Sequence, residues 1–272
     1  MDLYAVFGNP VSHSLSPRIH TMFAEQTGQQ LSYERREVPR DGFAAAVASF
    51  ADEGGHGLNV TVPFKEEAFG IAGQRSERAE RAGAVNTLIL GETIYGDNTD
   101  GEGLVHDLRH NLGVGLGGKR ILILGAGGAV RGVLEPLLAE QPATVLVANR
   151  TRERAEAVAK TFADLGRISA CGLDELEGER FEVVINATSS GLRGKLPPLP
   201  DSLVANGATA YDMVYGDRTT PFVAWARDHG ARITADGLGM LVEQAAAAFE
   251  LWRRVRPDTE PVIEALRRDL QP

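Results

Sequence analysis

The sequence predicts an α/β protein with two domains. Strand-like and helix-like segments alternate along the whole chain, a pattern typical of sheets built mostly from parallel strands. The chain has 272 residues, which is long for one compact domain and comfortable for two. Near residue 100 a helix-like stretch and a glycine-rich stretch at 113–118 separate two runs of alternating segments.

The first hundred residues predict three strands, each followed by a helix. The strands are expected at residues 3–7, 33–38 and 57–62, and the first two helices at 17–27 and 43–53. Pro63 favours the first position of a helix, so a third helix is expected to open there. Ser16 is a candidate cap for the first helix, and Gly28 is a candidate end for it.

The second half predicts a further α/β unit between two helical segments. A linking helix is expected at residues 101–111, and strands are expected at 120–124, 144–148, 182–187 and 208–213. A long apolar helix follows at 240–254, with Pro257 beyond its end.

The composition limits the classes of function. Hydrophobic residues make up 43% of the chain, and the net charge of -9 argues against a nucleic-acid binder or a partner of anionic membranes. Cys171 is the only cysteine, so no intramolecular disulfide and no cysteine metal site is expected. The N-terminus has no signal-peptide pattern, and no apolar run approaches the roughly 20 residues of a membrane span. We expect a cytoplasmic globular protein without a metal centre; the sequence does not indicate its oligomeric state, and a homodimer is one option.

A glycine turn follows the strand at residues 120–124. It reads Gly125-Ala126-Gly127-Gly128-Ala129 and leads into a predicted helix, as at the start of a Rossmann unit. Glycines let the backbone turn sharply and approach a pyrophosphate, which the helix N-terminus then binds. Val130 occupies the third glycine position of the general fingerprint, so an ordinary strand–helix turn is the alternative.

The end of the next strand indicates which dinucleotide would bind. An NAD enzyme usually has an acidic residue there, whereas this chain has Asn149, Arg150 and Thr151, with Arg154 close behind. A guanidinium forms paired hydrogen bonds with phosphate oxygens, which favours the 2′-phosphate of NADP. The alternative is a solvated basic start to a helix.

The first hundred residues contain four polar clusters placed at strand ends, where α/β sheets bind their ligands. They read Ser12-His13-Ser14-Leu15-Ser16-Pro17, Asn59-Val60-Thr61-Val62-Pro63-Phe64-Lys65, Gly83-Ala84-Val85-Asn86-Thr87 and Asp97-Asn98-Thr99-Asp100-Gly101. Taken singly, each has a structural explanation: Ser16 and Asp100 can cap helices, and Asn86 can lie in a turn.

Together these clusters resemble the shikimate dehydrogenase family, and the resemblance covers nearly the whole chain. It continues at residues 125–129, 149–151, 186–191, 211–215 and 236–240. It implies an N-terminal α/β substrate-binding domain at residues 1–101 and 238–272, the terminal helices returning to it. A Rossmann NADP-binding domain at 102–237 would face this domain across a cleft.

The resemblance also implies an activity, the reversible NADPH-linked reduction of 3-dehydroshikimate to shikimate, a step towards aromatic amino acids. It makes Lys65 and Asp100 the catalytic pair. The residues implied to bind the substrate are Ser14 and Ser16 at its carboxylate, with Asn59, Thr61, Asn86, Tyr215 and Gln244 around them. The residues implied to bind NADP are Gly125, Ala126, Gly127, Gly128, Ala129, Asn149, Arg150, Thr151, Arg154, Thr188, Met213 and Gly237, with Glu77 towards the nicotinamide end.

The residue types suit this reaction. Reduction of a ketone needs a hydride, which the cofactor supplies, and a proton on the developing alkoxide. The Lys65 ammonium can donate a hydrogen bond and then the proton, with Asp100 orienting it. For a lysine considered alone, a solvent-facing helix position is the common alternative. His13 is interpreted as structural or supporting.

Two other functions stay open at this stage. A paralogue acting on quinate, or on both acids, could use the same residues, with NAD in place of NADP. A non-catalytic NADP-binding sensor could use the same fold. The presence of both Lys65 and Asp100 favours the enzyme.

Overall fold

The computed structural model describes residues 1–188 and 195–270, and it divides the chain into two compact units. The first unit contains residues 1–103 and 242–262. The second contains the described residues of 104–241, together with those from 263 onward. The grouping differs from the predicted domains at the end of the chain, where the residues from 263 onward belong to the second unit and Arg267 forms an ion pair with Asp236.

The first unit contains a six-stranded mixed sheet. Its strands are β1 Asp2–Gly8, β2 Leu31–Glu37, β3 Gly55–Val60, β4 Gln74–Arg75, β5 Thr87–Ile89 and β6 Tyr95–Asp97. They lie in the order β2-β1-β3-β5-β6-β4. The strand β1 pairs parallel with β2 and β3, whereas β5 is antiparallel to β3 and β6. The antiparallel hairpin brings Asp97 opposite Thr87, and Thr87 opposite Asn59.

Helices cover this sheet: α1 Ser16–Thr27, α2 Phe43–Asp52, α3 Lys65–Ile71 and α4 Glu77–Ala82. The core on one face contains the aromatic side chains Phe7, Phe43, Phe50 and Phe64, all essentially inaccessible to solvent. Their burial supplies the hydrophobic driving force for this layer.

The second unit contains a six-stranded sheet in which every pair is parallel. Its strands are β7 Arg120–Leu124, β8 Thr144–Asn149, β9 Ile168–Gly172, β10 Phe181–Asn186, β11 Val204–Asp212 and β12 Ile233–Ala235. Their order, β12-β11-β10-β7-β8-β9, is that of a Rossmann fold. In β7, Ile121 and Ile123 enter one core while Leu122 and Leu124 enter the other, as expected for a parallel strand buried on both faces.

Helices α6 Gly128–Ala139, α7 Arg152–Thr161 and α8 Pro221–Asp228 belong to this second unit. Helix α5 Asp100–His106 continues into a π-helical turn, Asp107–Asn111, and the chain ends with α9 Leu238–Arg253 and α10 Glu260–Leu270. Over residues 1–188 and 195–270, no helix has both the length and the apolar character needed to cross a membrane. The α/β prediction is confirmed.

Two predicted helix starts are wrong. Ser16 does not cap α1, because it is the first residue of the helix and its hydroxyl accepts a hydrogen bond from Ser14 instead. Pro63 does not open α3, because a turn closed by the Phe64 amide and the Thr61 carbonyl precedes the helix. That turn buries the Phe64 ring against Phe43, so the helix begins two residues later than predicted, at Lys65.

Candidate active site

The predicted catalytic pair forms an ion pair in the first unit. Lys65 opens α3 and Asp100 opens α5, and the lysine Nζ donates to the Asp100 Oδ2. The Asp100 side chain is 8% exposed and that of Lys65 is 22% exposed, so one partner is buried while the ammonium still reaches solvent. The two Asp100 carboxylate oxygens accept from Lys65 and Asn86, so the side chain does not cap α5, and its backbone N–H donates to the Asn98 side chain.

Asn86 occupies the centre of the polar network around this pair. Its Nδ2 donates to the Asp100 Oδ1 at 2.8 Å, to the Thr99 hydroxyl at 3.0 Å and to the Gln244 Oε1 at 3.2 Å. Its Oδ1 accepts hydrogen bonds from the Thr99 backbone N–H and the Thr87 hydroxyl, each at 2.9 Å. A buried amide with this many partners is held in one orientation.

The network extends through Asn59 at the end of β3. The Asn59 Nδ2 donates to the Thr87 hydroxyl and to the Asn86 backbone carbonyl, and its Oδ1 accepts from the Tyr33 hydroxyl at 2.8 Å. Of the predicted residues, Lys65, Asp100, Asn86, Asn59 and Gln244 are therefore joined.

The serine cluster after β1 is organised by its own contacts. The Ser14 hydroxyl lies 3.1 Å from that of Ser16, and Arg35 donates from Nε to the Ser14 backbone carbonyl at 2.8 Å. Ser16 is buried and Ser14 is half-buried, so one hydroxyl of the pair faces solvent more than the other. Two adjacent hydroxyls can both donate to a carboxylate.

An ion pair anchors the segment that leads to Asp100. Asp97, at the end of β6, accepts from Nε and Nη2 of Arg78 at 2.7 and 2.8 Å, from the Ser76 hydroxyl and from the Asn98 backbone N–H. Burial raises the pKa of the Asp97 carboxyl, but hydrogen bonds with Arg78 and its charge outweigh that effect and hold the pKa below its usual value.

In the second unit, the glycine turn lies at the carboxyl end of β7. Gly125 has φ +115°, and a Cβ there would lie 3.2 Å from the Ala187 carbonyl oxygen, so a larger residue fits poorly. Gly127 precedes α6, whose N-terminus has no side-chain cap and keeps its N–H groups available. Val130 is fully buried in the core, which explains why a branched residue is accommodated at the third glycine position.

Of the arginines that follow β8, one forms ion pairs with glutamates and two form none with any described residue. Arg152 forms ion pairs with Glu156 and Glu175. Arg150 and Arg154 are exposed and form no ion pair with any described residue. The Asn149 side chain donates to the Thr151 backbone carbonyl, which shapes the turn between them. Two cations without a counter-charge are suited to bind a phosphate group.

The buried Asp212 carboxylate links the ends of β10 and β11. It accepts from the Asn186 side chain at 3.0 Å and from the Thr220 hydroxyl at 2.7 Å, and burial raises its pKa. Asn186 in turn accepts from the N–H and hydroxyl of Thr188. Next to this link, Gly237 packs on Met213 so closely that a Cβ would meet the Met213 backbone. Predicted cofactor residues thus cluster at the carboxyl ends of adjacent strands.

Among the remaining predicted residues, Thr61, Tyr215 and Glu77 have no described side-chain contact with either network. Thr61 is half-buried and its methyl packs beside Gly8. Tyr215 is half-buried in the second unit, and burial raises the pKa of its phenol. Glu77 is exposed in the first turn of α4 in the first unit. Residues 189–191, part of one resembling stretch, lie outside the described residues.

Family comparisons identify the chain. Residues 6–88 match the shikimate dehydrogenase substrate binding domain, residues 108–193 the shikimate / quinate 5-dehydrogenase family, and residues 237–267 the shikimate 5'-dehydrogenase C-terminal domain. A shikimate dehydrogenase (NADP(+)) from Alkalilimnicola ehrlichii is 62% identical over 98% of this chain and 98% of its own. The chain belongs to the shikimate dehydrogenase family.

Solved structures agree with this family assignment. An Ael1 enzyme from Pseudomonas putida is 47% identical, with a TM-score of 0.92 over 98% of both chains. Shikimate 5-dehydrogenase from Thermus thermophilus, crystallised with NADP(H) and shikimate, is 36% identical, with a TM-score of 0.87 over 98% of this chain and 99% of that one. The resemblance and the two-domain α/β fold predicted from the sequence are confirmed.

Sequence reasoning missed three residues of the network in this shikimate dehydrogenase family member. Thr87 and Thr99 lie inside stretches that carried the resemblance, so their place in those stretches was the available signal. Tyr33 carried a weaker signal in the sequence, as an aromatic side chain within a polar strand, and the structure shows it to be the one buried residue of β2.

Proposed function

We propose that this protein catalyses the reversible NADP-linked reduction of 3-dehydroshikimate to shikimate. The observation that carries the proposal is the Lys65–Asp100 ion pair, which Asn86 joins to Gln244 and Asn59 in one network. The 62% identical shikimate dehydrogenase (NADP(+)), and the relative crystallised with NADP(H) and shikimate, support the same reaction.

The residues of the second unit fit a dinucleotide with a 2′-phosphate. The Gly125 turn and the uncapped start of α6 suit a pyrophosphate, because the backbone is narrow there and its N–H groups are available. Arg150 directly follows β8 and Arg154 lies in the first turn of α7, close to where the ribose phosphate of NADP is expected. NADPH supplies the hydride when it is bound.

Proton transfer falls to Lys65 in this mechanism. Its Nζ donates a hydrogen bond to the ketone oxygen and passes a proton to that oxygen as the alkoxide develops. Asp100 orients the ammonium, and the positive charge stabilises the developing oxyanion. In the oxidation direction the same Nζ accepts the proton from the shikimate hydroxyl.

The rest of the substrate site positions the ring. Ser14 and Ser16 bind the carboxylate through their hydroxyls, while Asn59, Asn86 and Gln244 offer amide groups to ring hydroxyls. Thr61 and Tyr215 complete this set. Several polar groups that act on one small ring favour a fixed orientation of the reacting carbon.

A panel of substrates and cofactors tests the proposal. Purified protein is assayed by the absorbance of NADPH or NADH with shikimate or quinate and with NADP+ or NAD+. We expect the highest kcat/KM with shikimate and NADP+. A preference for quinate would assign the protein to quinate oxidation, and tight NADP+ binding without turnover of either acid would make it a sensor.

The cytoplasmic location and assembly as a homodimer stay predictions. Cell fractionation tests the first, and light scattering coupled to size-exclusion chromatography tests the second.

A further inference from the structure

A tyrosine hydroxyl contacts Asn59, a predicted substrate-binding residue, and this tyrosine is the one buried residue of β2. Tyr33 belongs to β2, two strands away from Asn59 on β3, with β1 between them. Its hydroxyl reaches across that strand and lies 2.8 Å from the Asn59 Oδ1. No predicted role in binding or catalysis accounts for this contact.

Backbone groups fix the direction of the hydrogen bonds in the network, because a backbone carbonyl can only accept a hydrogen bond and a backbone N–H can only donate one. The Asn86 backbone carbonyl can only accept, so the Asn59 Nδ2 must face it and the Asn59 Oδ1 must face Tyr33. The Thr99 backbone N–H can only donate, which fixes Asn86 in the same manner. Both amide orientations therefore follow from the backbone.

A one-way chain of donors results. The Tyr33 hydroxyl donates to Asn59, Asn59 donates to Thr87, and Thr87 donates to the Asn86 Oδ1 at 2.9 Å. Asn86 then donates to Asp100 at 2.8 Å, and Asp100 accepts from Lys65 through its other oxygen. Hydrogen bonds that run in one direction polarise each other, so each donor in the chain becomes stronger. The last donor, the Asn86 Nδ2, acts on the Asp100 carboxylate, whose negative charge a stronger donor stabilises.

The ring that carries the first donor is itself held in place. Tyr33 stacks on His20, with ring centroids 4.2 Å apart and planes 7° from parallel. Burial lowers the pKa of His20 to about 3, so this stacking partner is uncharged at neutral pH. Burial also raises the pKa of Tyr33 well above its usual value, with a hydrogen bond from Ser16 as a smaller opposing effect, so the phenol keeps its proton.

We propose that Tyr33 is a positioning residue, which acts through Asn59 to fix the amides that face the substrate and the carboxylate that orients Lys65. The proposal rests on the proposed function, because the consequence is an effect on shikimate turnover. It adds a residue to the site for which no direct substrate contact is required.

Tyr33→Phe tests the proposal, because it removes the hydroxyl and keeps the ring on His20. The Asn59 Oδ1 then loses its buried donor, and kcat/KM for shikimate is expected to fall on the order of tenfold. The KM for NADP+ is expected to stay within about twofold, since the cofactor residues have their own network. A smaller folded fraction would lower the apparent kcat and leave both KM values unchanged, so the rates are expressed per folded enzyme.

Tyr4→Phe is the matched control. Tyr4 is also buried and packs against Trp252, but its hydroxyl lies 3.4 Å from Arg253 and outside the donor chain. Its kinetic constants are expected to stay at the wild-type values. Thermal melting of all variants checks that the fold is kept.

A double-mutant cycle with Asn59→Ala separates action through Asn59 from a general packing effect. If Tyr33 acts through Asn59, then Tyr33→Phe has little further effect in the Asn59→Ala background. The proposal is overturned if the losses of kcat/KM in the two single variants add fully in the double variant. It is also overturned if Tyr33→Phe has the same kinetic constants as an active wild type. If the wild type oxidises neither shikimate nor quinate with NADP+ or NAD+, the proposed function is overturned, and the positioning role of Tyr33 falls with it.

Discussion

Replacement of Arg78 by methionine is expected to destabilise the first unit strongly. Arg78 neutralises Asp97, whose side chain is 4% exposed, through two hydrogen bonds, while a third goes to Glu102 at 2.8 Å. Methionine keeps most of the apolar stem, so the change removes the charge and its donors with limited loss of packing. The Asp97 carboxylate then stays buried without its counter-ion.

The magnitude follows from that burial. Removal of one partner of a buried ion pair costs about 3–5 kcal/mol, because the remaining charge is left uncompensated. Asp97 keeps its bonds from Ser76 and the Asn98 backbone N–H, so we expect the lower end, about 3 kcal/mol. With a urea m-value of about 2 kcal/mol/M, the unfolding midpoint would fall by about 1.5 M.

The dependence on pH has a definite sign. The pKa of Asp97 is lowered in the folded protein, so the ion pair contributes its full stabilisation above the unfolded value of about 3.9 and loses it as the pH falls through the folded value. The stability difference between the wild type and Arg78→Met should therefore be full at neutral pH and become smaller as the pH falls into the acidic range, where the Asp97 carboxyl takes up a proton.

The fluorescence of Trp252 provides the assay, since this residue packs on Tyr4 and donates to the Leu88 carbonyl within the first unit. Urea unfolding is followed in a Trp225→Phe background. Arg40→Met is the control, because Arg40 is exposed and forms no ion pair with any described residue. A midpoint for Arg78→Met close to that of Arg40→Met, or a difference that grows at acidic pH, would refute the reasoning.

Two further predictions concern the second unit. Arg150→Ala should raise the KM for NADP+ on the order of tenfold without changing the KM for NAD+, because it removes a charged donor to the phosphate. Arg152→Ala should change neither KM, because the Arg152 guanidinium is already paired with Glu156 and Glu175. Steady-state kinetics with both cofactors compares the two variants. Gly237→Ala should lower unfolding stability by about 2 kcal/mol and weaken NADP+ binding, because its Cβ would lie 2.7 Å from the Met213 carbonyl carbon. Gly115→Ala, with no atom within 4 Å of the added Cβ, should match the wild type in urea unfolding and calorimetric titration; equal behaviour of the two glycine variants would contradict this explanation.

The sequence predicted much of the second unit because its signals are local. An apolar strand, a glycine turn and a basic strand end follow one another within about thirty residues, which is a property of the Rossmann unit. The order of strands β12-β11-β10-β7-β8-β9 is not local, and it came from the structure. The strands β9 and β12 were missed because partly exposed residues interrupt their apolar pattern.

The first unit shows what such reasoning misses. The strands β5 and β6 have three residues each, too few for a period of two to be visible, yet they bring Thr87 and Thr99 to Asn86. Gln244 lies 158 residues from Asn86 along the chain, so only the family resemblance could place it in the site. Tyr33 could not be found at all from a motif, since its role depends on which strand lies between β2 and β3.

The most direct test of the catalytic assignment is the shikimate oxidation rate of Lys65→Ala with NADP+, measured beside the dissociation constant for shikimate. Lys65 contacts Asp100, and its removal takes away the proposed proton donor while leaving the serines and amides of the substrate site in place. We expect kcat to fall by at least about a thousandfold, from the combined loss of acid–base catalysis and charge stabilisation, and the dissociation constant to change by less than about fivefold. Near-normal turnover in this variant would contradict the assignment.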